Sequence, residues 1–366
     1  MRIFIACGGT GGHLTPGIAV AQRFHHQGYD VLLGTSKKPI DVHFRKHCGD
    51  LKFITLPGSG FCWRPAAFFR FFYHFIRGFF FSWKLLGREN VSAVLSFGGF
   101  SGLGIGLAAF LRRKPLLLHE SNLCLGKAVR FLTPMARKVF IPPLLKNQEP
   151  FRRRKKFHPM GFPLREEFIP MDREMARVKL GRSGGGKLLL VTGGSQGARV
   201  LVDWTLTNGY ALAERSLDII CLTGPGGREG TFSLPDSGGK FHPMEYVPFS
   251  DRMHLLYGAA DLVLCRAGAG TIAELVACGK PSILVPYPHS AGNHQMANGL
   301  AMERAGAACL LRQEEMDRGL LVAVDNLFCP GVLEDMEHRV KQLRSQFSED
   351  ATGQIVEEFL STVNVR

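Results

Sequence analysis

The chain has 366 residues, 45% hydrophobic and 21% charged, which exceeds the size of a single core, excludes a disordered chain and predicts two globular domains. Its nine cysteines, an odd set with no C-x-x-C pair, exclude a disulfide framework and a zinc site and suit a reducing compartment. The net charge of +14 is uneven: residues 1–163 carry 25 Lys+Arg against 6 Asp+Glu, and residues 164–366 carry 20 against 25. A basic first half implies a negatively charged partner surface, nucleic acid or anionic lipid.

The first element is an apolar strand, Ile3 to Cys7, that runs straight into "GGTGGHLTPG". Arg2 precedes only five apolar residues before glycines interrupt, so no secretory signal is expected. A strand that stops in glycines and restarts as a helix leaves N–H groups unpaired at the helix start, where anionic or hydroxyl-rich ligands are favoured. Leu14 stands where the dinucleotide fingerprint needs a third glycine, and no Lys-Ser or Lys-Thr follows as a phosphate loop requires. His13 is more than a phosphate cradle needs.

Further strands are expected at Asp30–Leu33, Lys52–Leu56, Ala93–Phe97, Pro115–His119 and Lys138–Ile141. Between them lies "FCWRPAAFFRFFYHFIRGFFFSWKLLGR", residues 61–88, in which Arg64, Arg70, Arg77, Lys84 and Arg88 stay near one another on a helix while phenylalanines cover more than one stripe. That pattern fits an interfacial helix among anionic lipid headgroups; a buried helix with a solvated basic edge is the alternative. Val91 to Leu111 is uncharged for 21 residues, but its five glycines favour a buried strand, a turn and a small-residue helix over a membrane span. The run "RRRKK", 152–156, reads as a solvated basic loop.

Around "MGFPLREEF", residues 160–168, the sign of charge changes and Pro163 breaks the pattern, marking a linker. "KLLLVTGGSQGARVLVDWTL", 187–206, then repeats the opening design of strand, Gly-Gly, Ser/Thr, Gly and helix. Later strands are expected at Leu188–Thr192, Asp218–Thr223, Lys240–Val247, Leu262–Cys265, Ser282–Val285 and Ala307–Leu311. The repeat predicts an α/β chain of two doubly wound parallel-sheet domains, each offering the carboxyl edge of its sheet to a ligand in a cleft between them. The domains are 1–163, 164–345, and a helix, 346–366, packing back on the first.

"GGTGGHLTPGIAVA", "HESN" at 119–122, "GGSQGAR" at 193–199, "CRAGAGTIAELVACGKPSILVPYP" at 265–288 and "NHQMANG" at 293–299 together resemble the MurG family of peptidoglycan glycosyltransferases. The resemblance spans nearly the whole chain in order and implies the GT-B fold, with the nucleotide sugar on the second domain and the lipid acceptor on the first. It implies an inverting hexosyltransferase that moves N-acetylglucosamine from UDP-N-acetylglucosamine to the C4 hydroxyl of the N-acetylmuramic acid of undecaprenyl-linked lipid I, giving lipid II. It further implies peripheral attachment to an anionic membrane surface at the cytoplasmic face of the inner membrane, and cell-wall synthesis proteins as partners. No cofactor or metal is expected, since no Asp-x-Asp motif occurs; divalent-ion stimulation stays open.

By the same resemblance, Glu274 accepts hydrogen bonds from the ribose hydroxyls, and Gly268, Gly270 and Thr271 present N–H groups to the diphosphate together with Ser195 and Gln196. Arg266 either adds positive charge there or is an ordinary strand-end arginine. Gln295, with His294 and Asn298, meets the sugar hydroxyls; Ser250 lies beside the uracil; Asn122 and Arg165 lie near the sugar and the hinge. Thr10, Gly11 and Gly12 in the first turn, and Gly98 and Gly99 in a third, face the acceptor, while Arg70, Arg77 and Lys84 face the membrane. His13 is the candidate base, because imidazole titrates near neutral pH; the alternative is a positioning group. Ser121 replaces a usual glutamine, Phe162 an asparagine and Phe100 a tyrosine, with Ser101 one place early. Two other classes remain: another membrane-associated GT-B enzyme, such as a diacylglycerol glycosyltransferase, and a basic nucleic-acid-binding protein.

Overall fold

The computed structural model describes residues 1–9, 11–38, 41–42, 45, 48–58, 65–182, 186–194, 197–344 and 350–364, with backbone alone at 65–68. The chain divides into two compact units, Met1–Arg165 with Phe347–Arg366, and Glu166–Gln346.

The first unit holds a seven-stranded sheet of β1 (Arg2–Ala6), β2 (Asp30–Thr35), β3 (Lys52–Thr55), β4 (Ala93–Ser96), β5 (Leu116–His119), β6 (Lys138–Ile141) and β7 (Phe157–Pro159), in spatial order 3-2-1-4-5-6-7. Every pair is parallel. β1 is paired on both edges, to β2 and β4, and Ile3 to Ala6 are fully buried. That explains an uninterrupted apolar run in place of an alternating one. β7 was absent from the strands expected of the sequence. It is a three-residue edge strand bonded only to β6 and ending in Pro159, too short and too basic in its surroundings to show a strand pattern.

The charge-free stretch 91–111 forms β4 and the Gly99–Leu111 helix. Among the described residues no helix is long and apolar enough to cross a membrane. The Gly99–Leu111 helix packs on the Pro65–Arg88 helix. A Cβ on Gly104 would stand 2.9 Å from the Gly78 backbone, so these backbones meet at a distance only glycine permits. Phe71, Phe75, Phe79 and Trp83 pack into the core, and Leu85 and Leu86 are buried. The opposite side is also apolar: Phe69 is 71% exposed and Phe80 58%, with Phe72, Tyr73 and Ile76 exposed between them. Arg70, Arg77 and Lys84 are exposed, at spacings that place them as a row beside that stripe.

The Ala351–Asn364 helix belongs to the first unit. Phe359 meets Phe24 of the Gly11–His26 helix edge-on, with ring centroids 5.2 Å apart. Arg137 donates to the Thr362 carbonyl at 3.0 Å, Lys138 pairs with Glu358, and Arg23 pairs with Asp350 at 3.1 Å.

The second unit repeats the plan with β8 (Lys187–Thr192), β9 (Leu217–Leu222), β10 (Gly230–Pro235), β11 (Phe241–Val247), β12 (Leu262–Cys265), β13 (Ser282–Leu284) and β14 (Cys309–Leu310), in order 10-11-9-8-12-13-14. β8 sits centrally between β9 and β12, as β1 does between β2 and β4. This sheet is not wholly parallel: β10 and β11 form an antiparallel hairpin at its edge. β10 was absent from the strands expected of the sequence, because an edge strand needs no continuous apolar run. The hairpin signal was present in Asp236-Ser-Gly-Gly, where Asp236 accepts from the Lys240 amide at 2.9 Å.

Candidate active site

In each unit the direction of sheet growth reverses beside the central strand, between β1 and β4 in one and β8 and β12 in the other. At such a point the loops leaving the two strands part and open a crevice at the carboxyl edge. His13, Gly98 and Gly99 in the first unit, and Arg266, Gly268, Gly270, Thr271 and Glu274 in the second, follow those strands, whereas Asn122 follows β5, Ser250 β11, and His294 and Gln295 β13.

In the first unit His13 lies in the first turn of the Gly11–His26 helix, which leaves β1. Gly98 and Gly99, after β4, both take left-handed backbone, with φ 85° and 74°. A Cβ on Gly99 would stand 3.5 Å from His13 Nδ1 and 3.0 Å from the Gly8 carbonyl oxygen. The imidazole therefore lies against this turn, which must be glycine for conformation and for space. Ser101 Oγ donates to the Gly8 carbonyl at 3.0 Å and fastens the two turns together. This gives the displaced serine of "FGGFSGLG" a local task.

The segment after β5 adds two buried groups. His119 is 1% exposed, 5.0 Å from the Phe97 ring, with Nε2 3.4 Å from the Gly161 carbonyl and Nδ1 3.4 Å from Ser121 Oγ. Burial pushes its imidazole down to about 4, and the charge of nearby His13 adds to the depression. His119 is therefore neutral near pH 7. Glu120 accepts from the Gly126 amide at 2.7 Å and from the Asn122 amide and side-chain Nδ2 at 3.0 Å each, so it folds the 120–126 loop and orients Asn122. Burial raises its carboxyl, and the Gly126 and Asn122 hydrogen bonds act against that rise. Glu120 was not among the residues expected of the sequence, nor was Asp41, which is fully buried and accepts from the Gly9 and Ser36 amides. The sequence signal for Glu120 was an acid closing an apolar strand, while Asp41, in the basic stretch "KKPIDVHFRK", gave none. Arg165, half-buried, ends the first of the two segments that make up the first unit.

In the second unit Glu274 lies in the second turn of the Ala269–Cys278 helix, which leaves β12. It is half-buried and accepts a hydrogen bond from Tyr257 Oη at 3.0 Å. Tyr257 is 1% exposed; burial, then the Glu274 charge, pushes its phenol well above the usual range, so it remains a donor. Gly268 caps this helix without a side-chain hydrogen bond, which leaves the N–H groups at Ala269, Gly270 and Thr271 directed out of the helix start. Thr271 Oγ1 would stand 3.9 Å from a Cβ on Gly194, so the turn after β8 and this helix start share one place.

Arg266 is 8% exposed and donates to the Val285 and Pro286 carbonyls at 3.1 and 3.3 Å and to Gln313 Oε1 at 2.7 Å. Gln295 Oε1 accepts from the Tyr287 amide at 2.8 Å, and buried Asn298 donates to the Ala267 carbonyl at 3.2 Å. His294 Nδ1 is 2.6 Å from the Ala291 carbonyl. Ser250 Oγ accepts from the Arg252 amide at 3.1 Å. Thr10, Ser195, Gln196, Arg64 and the Phe68 side chain lie outside the described residues. No group of three or more His, Cys, Asp or Glu side chains suited to a metal ion occurs among the described residues.

Two Rossmann-like units with glycine turns at both switch points define the GT-B class of glycosyltransferases. Residues 3–141 match the glycosyltransferase family 28 N-terminal domain and residues 188–351 its C-terminal domain. A UDP-N-acetylglucosamine–N-acetylmuramyl-(pentapeptide) pyrophosphoryl-undecaprenol N-acetylglucosamine transferase from Opitutus terrae is 38% identical over 327 residues, covering 88% of this chain and 86% of that protein. One of the same name from Desulforudis audaxviator is 34% identical over 98% of both chains. Among solved structures, Acinetobacter baumannii MurG matches with a TM-score of 0.72 at 22% identity, over 98% of this chain and 99% of that one, and the calicheamicin glycosyltransferase CalG4 with 0.69 at 14%, over 100% and 98%. The chain belongs to the MurG family of glycosyltransferases.

Proposed function

We propose that this chain transfers N-acetylglucosamine from UDP-N-acetylglucosamine to the C4 hydroxyl of the N-acetylmuramyl-(pentapeptide) group of pyrophosphoryl-undecaprenol, with inversion. The observation that carries the reading is identity of 38% and 34%, over most of both chains, to transferases of that one name. The second unit supports it by placing Glu274 beside an uncapped helix start, a carboxylate for ribose hydroxyls next to N–H groups for a diphosphate.

In this mechanism the acceptor oxygen forms its bond to the anomeric carbon as the bond from that carbon to the diphosphate oxygen breaks. The hydroxyl proton passes to His13, and the charge on departing UDP is met by the N–H groups at Ala269–Thr271 with no resident metal required. His119, held neutral, brings no competing positive charge to the His13 side of the site.

The acceptor is a membrane lipid, and we place the enzyme peripherally on the cytoplasmic face of the inner membrane. What supports this is the Pro65–Arg88 helix, whose exposed Phe69, Phe72, Tyr73, Ile76 and Phe80 run beside Arg70, Arg77 and Lys84. The test is turnover of UDP-N-acetylglucosamine with lipid I, diacylglycerol and RNA in competition. Transfer to lipid I that neither competitor reduces is expected; transfer to diacylglycerol, or loss of turnover to RNA, overturns the assignment.

A further inference from the structure

A cavity of about 490 Å³ opens in the first unit between the loop after β5 and the segment leading to β7. Leu123, Leu125, Leu145, Phe151 and Phe157 make it apolar, and Arg130 and Arg154 stand among its lining residues. Its size is that of a small-molecule pocket.

The walls are built. Phe151 and Phe157 meet edge-on at 5.0 Å. Lys146 Nζ donates to the Phe151, Arg152 and Arg154 carbonyls at 2.8, 3.2 and 3.0 Å, and Lys156 Nζ to the Thr133 and Pro134 carbonyls at 3.1 Å each. These two lysines hold the far wall in place. The other wall, Leu123 to Leu125, is the middle of the loop that Glu120 ties at Asn122 and Gly126.

The run "RRRKK" then divides by task. Arg152 and Arg153 pair with Glu149 at 3.1 and 3.3 Å, and Lys156 is spent on carbonyls. Arg154 lines the cavity with Arg130, both exposed and neither with a carboxylate partner among the described residues. An apolar pocket with two unneutralised guanidiniums fits an apolar chain that ends in a phosphate. The Lys127–Leu132 helix that carries Arg130 also carries Val129, whose Cγ2 would stand 3.1 Å from a Cβ on Gly98. The cavity is thus one helix away from the turn against which His13 rests.

We propose that this cavity binds the phosphate-proximal isoprene units of the acceptor, with Arg130 and Arg154 holding its diphosphate. The choice of a prenyl chain rests on the acceptor reading given above; the cavity, its charge and its place do not. The test is calorimetric titration of the full chain with farnesyl diphosphate, farnesol, inorganic diphosphate and oleate. Farnesyl diphosphate is expected to bind at least tenfold tighter than any of the other three. Arg130→Gln with Arg154→Gln should weaken it about tenfold per arginine, the size of one charge-assisted hydrogen bond each, with the thermal midpoint unchanged. Gln148→Trp, which fills the cavity from its lining, should weaken it without changing charge. Equal affinity for inorganic diphosphate or oleate, or unchanged affinity in the double variant, overturns the proposal. If transfer to prenyl-linked acceptor proceeds while these variants bind farnesyl diphosphate normally, the cavity assignment alone falls; if no prenyl-linked acceptor is glycosylated, the acceptor reading falls.

Discussion

Tyr257 donates a 3.0 Å hydrogen bond to Glu274 Oε2 from a fully buried phenol. The tyrosine fixes one carboxylate oxygen and so orients the other. Glu274→Ala should weaken UDP-N-acetylglucosamine binding by roughly 1.5 to 3 kcal/mol, the range for hydrogen bonds to a charged group. Tyr257→Phe keeps the ring and removes only the donor, so it should cost less, about 0.5 to 1.5 kcal/mol. Calorimetry on both folded variants checks the order, and donor affinity unchanged in Glu274→Ala would remove that residue from the site.

His13 and His119 are neighbouring imidazoles with different surroundings. Because His119 is held down to about 4, the acidic limb of kcat/KM near neutral pH should belong to His13. His13→Ala should lower kcat about 10²- to 10⁴-fold with little change in donor affinity, and that limb should vanish from the residual activity. Near-parental kcat, or retention of the limb, would leave His13 a positioning group.

The same depression makes His119 a stability group. Its folded-state value of about 4 lies below the ordinary 6.5, so the unfolded chain binds the proton first as pH falls. The stability it contributes is complete above about pH 6.5 and is lost on the way down to pH 4, on the order of 3 kcal/mol. Urea melts across that range should show the decline, and His119→Gln should flatten it whatever its cost at pH 8.

Removing charge from the row beside the aromatic stripe should release the protein from anionic vesicles. Arg70, Arg77 and Lys84 together replaced by glutamine should reduce co-sedimentation, each cation near such a surface being worth about 1 kcal/mol. The difference should be largest at low salt, because screening reaches about 10 Å at 0.1 M. Variant and parent sedimenting equally, or parent binding neutral vesicles as well as anionic ones, would count against a charge-assisted surface.

The sheet centres were legible because a strand buried on both faces is apolar through its middle, as β1 is from Ile3, β8 from Leu188 to Val191 and β12 along its length. Of the four edge strands, β3 and β14 were legible, whereas β7 and β10, each with one neighbour, carry no such signature. The glycine turns were legible as turns, whereas the carboxylates that fold loops were not. Glu120 accepts from amides two and six residues onward and Asp41 from Ser36, five residues back, and from Gly9, 32 residues back, and no motif in the sequence announces an acid aimed at its own backbone. Arg266 shows the converse: its position after β12 was plain, but the carbonyls that occupy it come from Val285 and Pro286, which follow the neighbouring strand β13.

The Ala351–Asn364 helix returns to the first unit and covers Phe24 with Phe359. The first unit is therefore not finished when its own sheet has been synthesised. On the ribosome its apolar flank around Phe24 stays uncovered while the whole second unit is made, and closes only when the last helix emerges. Loss of the Ala351–Asn364 helix would uncover Phe24 in a unit whose sheet is made before it, without removing any residue of the second unit's sheet.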